Sequence, residues 1–310
     1  MRLQHVLATL VLSGLAVGTA SADVALKRGK DVVHVLIDGK PFTDYVTSKE
    51  LPKPFFADVT APDGTVISRP VPPPKGEDHP WHKGLFVAVD QINKERHWAE
   101  LSKIENESVE LVKSEGNPAV LKVTNKWTAM KEGQFEPGSL IVTEVTTISI
   151  YENRLLVYEI EFKAGDTPLE FGDTKEGLFG FRMMHTMREK EGGTVINSEG
   201  VKTAKACWGK PAAWVDYFGP VDGKVHGITL MDSPKNFRPS RYHVRDYGLF
   251  SINPFGVHSY TGGELPPDHA HVKPHESLKL TYGCYIHQGD TEEGDVPAAY
   301  QQFLKVTGAK

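Results

Sequence analysis

The stretch EDHPWHKGLFVAV, residues 77–89, sets an acid, two histidines, a tryptophan and a lysine ahead of an apolar run. Imidazole gives and takes a proton near neutral pH, so His79 and His82 are candidate proton-transfer or hydrogen-bonding groups. On a regular strand, residues three apart point to opposite faces. Pro80 breaks the ladder between the two histidines, which places them in a loop able to turn both rings inward. Gly84 then opens a buried strand, LFVAV, so the loop is expected at the rim of a sheet, over a cavity. The plainer alternative is a polar loop in which His79 caps a turn.

Two more stretches carry titratable groups in patterns of interest. FGDTKEGLFGFRMMH (171–185) presents Asp173, Lys175 and Glu176 before Gly177 and a strand. Alternation puts Arg182 on the face of Leu178 and Gly180, where a guanidinium needs a partner or a cavity. A glycine on that face leaves room for a ligand to come close. In SRYHVRDYGLFSINPFG (240–256), His243, Arg245 and Tyr247 share one parity and Asp246 takes the other. Imidazole, guanidinium and phenol in one row suit a polar ligand. The alternative is an edge strand made polar to block aggregation. His269 and His271 stand two apart in a proline-rich segment, a spacing open to co-ligation or to a surface loop. Trp81, Trp208 and Trp214 are either stacking platforms or core.

The elements that must position these groups read with a period of two. VVHVLID turns at Gly39 into PFTDYV, and FFADVT turns at Pro62-Asp63-Gly64 into TVISRP. SVELVKSE pairs with AVLKVTNKW, and LIVTEVTTISIY with LLVYEIEFKA. TVINSEG, KVHGITLMD, GLFSINPF and SLKLTYGCYIHQG complete the strand candidates. Helical spacing is clear in VPAAYQQFLKV, where Val296, Tyr300, Phe303 and Leu304 share a face behind a start at Asp295. Without βαβ alternation the chain reads as all-β: a large antiparallel β-sandwich with a short C-terminal helix.

Composition bounds the rest. Arg2, an apolar core from Val6 to Val17 and Ala20-Ser21-Ala22 form the pattern of a secretory signal peptide over residues 1–22. Residues 23–310 are then expected as a single domain, exported to the periplasm or the extracellular space. The formal net charge of −5 and the lack of a lysine-arginine block disfavour nucleic acid or an anionic membrane as partner. Cys207 and Cys284 are open to a disulfide or to two buried thiols. No G-x-S-x-G elbow, P-loop, H-E-x-x-H or strand-linked G-x-G-x-x-G is present, and no motif names a cofactor.

GEDHPWHKGL, GDTKEGLFGFRM, NSEG followed by WGKPAAWVDYFG, and YHVRDYGLFSINPFG together resemble the PmoA-like family of bacterial proteins of unassigned function, from about Lys53 to Gln288. The resemblance implies a fold similar to the galactose mutarotase supersandwich, whose members bind sugars in a cleft and often use histidine and a carboxylate as acid and base. The family label borrows from a membrane copper enzyme, but this chain lacks the spanning helices that enzyme needs. The commoner form of the first motif is DHPHHRG. Trp81 and Lys83 replace two of its residues here, which weakens a metal site on that loop.

The expected function is therefore acid/base chemistry on a glycoside or modified sugar, by epimerisation or elimination. Glu176 is the candidate base, His82 or His243 the acid, and Lys175 a stabiliser of negative charge. His79, Trp81, Asp173, Arg182, Arg245, Asp246 and Tyr247 are the candidate contacts to a small-molecule or oligosaccharide ligand. A non-catalytic sugar-binding module is the alternative. A metal site using His79, His82 and either His185 or His243 is another. Each reading requires the three stretches to converge in space.

Overall fold

Asp38 and Gly39 adopt positive φ (51° and 73°), as a two-residue hairpin turn requires, and they join the antiparallel strands Val32–Ile37 and Lys40–Val46. Val33, Val35 and Ile37 point inward while His34 stays outside, as alternation predicts. The same logic builds the longer hairpins: Lys103–Lys113 pairs with Ala119–Met130, and Pro137–Ile150 with Leu155–Lys163. The computed structural model describes residues 23–130 and 137–309. The signal-peptide reading of residues 1–22 lies outside them.

Among the described residues the strands form a nine-stranded and an eight-stranded sheet, with a small two-stranded sheet beside them. Their pairings are antiparallel. Phe56 and Phe179 of the first sheet meet Tyr158 and Tyr282 of the second at ring-centroid distances of 4.5–6.3 Å, so the two sheets pack face to face over an aromatic core. The C-terminal helix, Val296–Val306, buries Val296, Ala299 and Phe303 on the second sheet. Tyr300 and Leu304 lie at the margin of that contact. Asp295 precedes the helix with φ 46° and makes no side-chain capping bond, unlike the expected start.

Several expectations shift. TVISRP forms no strand; a single bridge, Thr60 to Val66, replaces the second hairpin. The strand after Gly84 is only Leu85–Val87. Trp214 packs with the C-terminal helix as core and is not a platform. Cys207 and Cys284 are separate buried thiols. Among the described residues no helix is long and apolar enough to cross a membrane.

One end of the nine-stranded sheet carries the stretches singled out above. In order from the edge, its strands are Arg241–Val244, Leu249–Asn253, Phe179–Arg182 and Leu85–Val87. The outer strand does not stand open. Gly209 N–H donates to the Tyr242 carbonyl (2.8 Å), and Pro211 bridges to Arg241.

Candidate functional site

Leu85 pairs with Phe181 and Val87 with Phe179, so the loops that enter these two antiparallel strands come from opposite ends of the sheet. They meet over a cavity of about 300 Å³. His79, Trp81 and His82 wall it from one side, Lys175 and Glu176 from another, and His243, Arg245 and Tyr247 from the edge strand and its turn. The volume is at the small end of the ~300–1,000 Å³ usual for ligand pockets.

The loop at 78–82 is shaped by a residue with no motif of its own. Arg69 is buried, and its guanidinium donates to the carbonyls of Asp78 (2.8 Å), His79 (2.7 Å) and His82 (2.6 Å). Gly84 follows where the chain presses on its neighbour strand: a Cβ there would lie 2.1 Å from the Phe56 carbonyl oxygen. With the loop so fixed, the rings of Tyr247, His79 and His82 stack in parallel. The centroids are 5.3 and 4.8 Å apart and the planes within 3° and 4°. Trp81 stands edge-on to His79, and Trp98 to His82. Nitrogen lone pairs lie in the ring planes, so those of stacked His79 and His82 do not converge on one ion. His185 points instead toward Glu77 (3.4 Å), and among the described residues no group of three metal-ligating side chains assembles.

The opposite wall is held by its backbone. Asn253 Nδ2 donates to the Thr174 carbonyl (3.0 Å), and the Tyr260 hydroxyl and His243 Nδ1 donate to that of Lys175 (2.6 and 3.1 Å). Asp90 N–H donates to the Glu176 carbonyl (3.0 Å) and Ser251 Oγ to that of Gly177 (2.6 Å). Four consecutive carbonyls are thus tied to buried residues of the neighbouring elements, and the Lys175 and Glu176 side chains are left to face the cavity. Neither side chain has a hydrogen-bond or ion-pair partner among the described residues. Burial raises the Glu176 carboxyl above its ordinary value; Lys175 opposes this and Asp90 adds to it.

His243 has a different task from the proton donor expected. Its Nδ1 is spent on the Lys175 carbonyl, and its Nε2 accepts from Arg245 Nε at 3.0 Å. Burial, with Arg245 and Lys175 close by, pulls the imidazole down to about 3, so the ring is neutral and serves to position Arg245. His82 is also held well below 6.5, first by burial and then by Arg182 and His79. Both histidines therefore enter neutral solution without a proton to give as imidazolium.

Three other expected contacts lie elsewhere. Arg182 sits beneath the loop, paired through Nη2 with Asp78 Oδ1 (2.6 Å) and with its guanidinium 4.9 Å from the Tyr247 ring. Asp173 accepts from the backbone N–H groups of His258, Ser259 and Asp268 at 3.0–3.1 Å, which fixes the short helix Val257–Tyr260. Asp246 opens onto a neighbouring cavity. The space over Gly180 is filled by the rings of Phe86 and Trp98, each 3.1 Å from where a Cβ would be, and not by a ligand path. His269 pairs with Glu170 (2.8 Å) on the small sheet.

A family of unknown function, DUF6807, matches residues 32–301. The chain belongs to it. The match supports DUF6807 and not the PmoA-like label. No curated protein matches the chain in sequence. Among solved structures, the Slr1438 protein of Synechocystis sp. PCC 6803 is 14% identical over 87% of this chain and 93% of that one, with a TM-score of 0.38. Galactose 1-epimerase from Lactobacillus acidophilus is 10% identical over 88% and 100%, with a TM-score of 0.41. A galactose mutarotase related enzyme from Lactobacillus acidophilus is 10% identical over 85% and 97%, with a TM-score of 0.34. Likeness at this level assigns no activity to a DUF6807 chain.

Sequence reading missed Asp90, Arg96 and Trp98, which complete the DUF6807 cavity. Arg96 pairs with Asp90 through two nitrogens, at 3.1 and 3.3 Å. They belong to VAVDQINKERHW, whose first half reads as plain buried strand. The one available signal is a charged pair, Asp90 and Arg96, next to a tryptophan just past that strand.

Proposed function

We propose that this cavity binds a sugar-sized ligand and that Glu176 removes a proton from a carbon next to a carbonyl group. The observation that carries the reading is the state of Glu176: a carboxylate at the wall of a cavity, without a hydrogen-bond or ion-pair partner among the described residues, with its proton affinity raised by burial. The proton passes to the Glu176 carboxylate. The electron pair of the broken C–H bond moves onto the carbonyl oxygen, where Lys175 and Arg245 stand to stabilise the negative charge. Return of the pair to carbon with a proton epimerises the centre; its departure through a substituent on the next carbon is an elimination. His82 contributes as a neutral imidazole, and the half-buried ring of Trp81 supplies apolar surface for the C–H face of a sugar. Simple hydrolysis fits less well. It calls for two opposed carboxylates, and Asp90, the other acid in the cavity, is neutralised by Arg96. With the N-terminal signal read as a leader, the chemistry takes place outside the cytoplasm.

The test is hydrogen exchange. Candidate sugars and sugar acids are incubated with the protein in D2O, and NMR follows deuterium entering the carbon next to the carbonyl. Exchange that disappears in Glu176→Gln supports the reading. Binding by calorimetry with no exchange and no product would leave a sugar-binding module in its place.

A further inference from the structure

Arg245 is a wall of two cavities. Beyond the one described, a second of about 450 Å³ opens on its other side, with Trp208, Ala204 and Val244 as the apolar part and Glu189, Lys205 and Asp246 as the polar part. We propose that the two cavities are neighbouring subsites for one acidic oligosaccharide, at least two rings long, whose carboxylate is held by Arg245 between them. The proposal rests on the functional reading of the Glu176 cavity and extends it to a substrate class.

Three observations support it. The first is the state of Arg245. Its Nε is spent on His243, which fixes the plane of the guanidinium, and its terminal nitrogens have no acceptor among the described residues. A planar fork with free N–H groups matches a carboxylate in two bonds.

The second is the charge balance. Within the first cavity Arg96 is paired with Asp90, so among the described residues Lys175 and Arg245 face the one remaining acid, Glu176; Glu189 and Asp246 lie in the second cavity with Lys205, so the excess of cation is local to the first cavity's side of Arg245. A ligand with one negative charge completes the set.

The third is the second cavity itself. The Arg245 guanidinium carbon lies over the Trp208 ring, 5.6 Å from its centre, and the half-buried Trp208 lines the cavity with Ala204 and Val244, which together give the apolar surface that a sugar ring's C–H face needs. The charged groups at the other side suit hydroxyl edges. Both sides are held together by Tyr217, whose hydroxyl donates to the Arg245 carbonyl (3.1 Å) and accepts from Glu189 N–H (2.7 Å). The cavity is thus built on tied backbone and does not depend on a loose loop.

The experiment is calorimetry on the full chain with galacturonic acid, its dimer and its trimer, and with galactose and its neutral dimer as controls. The dimeric acid is expected to bind about tenfold tighter than the monomeric acid, a gain that Trp208→Ala cuts to about threefold or less. Lys205→Ala, an exposed position, is expected to reduce the gain about twofold to threefold without affecting folding. Thermal melts check that Trp208→Ala is folded. A dimer no tighter than the monomer, or a gain that survives both variants, overturns the second subsite while monomer binding and exchange keep the Glu176 reading. Equal affinity for neutral and acidic sugars overturns the carboxylate assignment. No binding of any acid overturns the acidic-oligosaccharide proposal, while the Glu176 reading stands or falls with the exchange test.

Discussion

Arg182 Nη2 donates to Asp78 Oδ1 at 2.6 Å across 104 residues of chain, and this bond ties the strand beneath the cavity to the loop that walls it. Arg182 is almost fully buried, while the Asp78 side chain is 43% exposed. Removing the arginine thus leaves the carboxylate partly in water, with His79 at 3.4 Å and Arg69 at 3.7 Å, and does not strand it. Arg182→Met is expected to lower stability by about 1–2 kcal/mol, short of the ~3–5 kcal/mol of a fully buried broken pair. Urea denaturation measures this. The amides of residues 78–83 should exchange faster with deuterium in the variant; unchanged exchange there would mean the bond does not hold the loop.

Glu176 must be ionised to act as a base. Its carboxyl is raised by burial, so activity is expected to fall on the acid side through a midpoint above the ~4.3 of free glutamate. Glu176→Gln should lose about 10²–10⁴-fold in rate with its fold intact. A pH–rate profile with an acid limb at or below the ordinary value would remove Glu176 from the role.

His243 positions Arg245 and does not carry the proton. His243→Ala is expected to raise KM about tenfold through the loosened guanidinium, with kcat little changed and the acid limb where it was. His243→Gln offers one acceptor and one donor in similar places and should restore part of the affinity. If both variants were equally inactive and the pH profile changed shape, the imidazole would be a proton-transfer group after all.

Beneath the cavity lies a charge cluster of which only Lys83 falls in a stretch that the sequence singles out. Lys53 is 1% exposed and reaches the Trp98 carbonyl (3.0 Å) and Glu100 (3.2 Å), which Lys83 also meets at 3.2 Å. Burial pulls Lys53 down to about 8, against the opposing pull of Glu100. Between pH 8 and the unfolded value near 10.4, the unfolded chain holds a proton that the folded chain has released. Stability contributed by this group therefore rises with pH across that window, by up to about 3 kcal/mol. Denaturation at pH 7.5, 9 and 10 should show the rise in the wild type relative to Lys53→Met; equal slopes would count against the shift.

Much of the framework is legible because alternation is a short-range property. Val33, Val35 and Ile37 declare their face within six residues, and the helix at Val296–Val306 is long enough to show a stripe. The helix Val257–Tyr260 has four residues, too few for any period. Residue types identified Glu176, His79 and Arg245 as capable of chemistry, and all three line the cavity. Type alone does not give direction. Asp173 looked like a ligand contact and turned out to hold a helix start, because its backbone partners lie 85–95 residues away. Arg69 acts on carbonyl oxygens, which every residue has, so no sequence pattern announces it.

The segment Gly209–Pro211, laid along the outer strand Arg241–Val244, has a consequence for encounters with other chains. A bare strand at the rim of a sheet invites a foreign peptide to continue the ladder. Here that seat is taken from within the molecule, directly beside the cleft. Whatever docks on this flank meets side chains instead of backbone, so discrimination there falls to Arg245 and its neighbours.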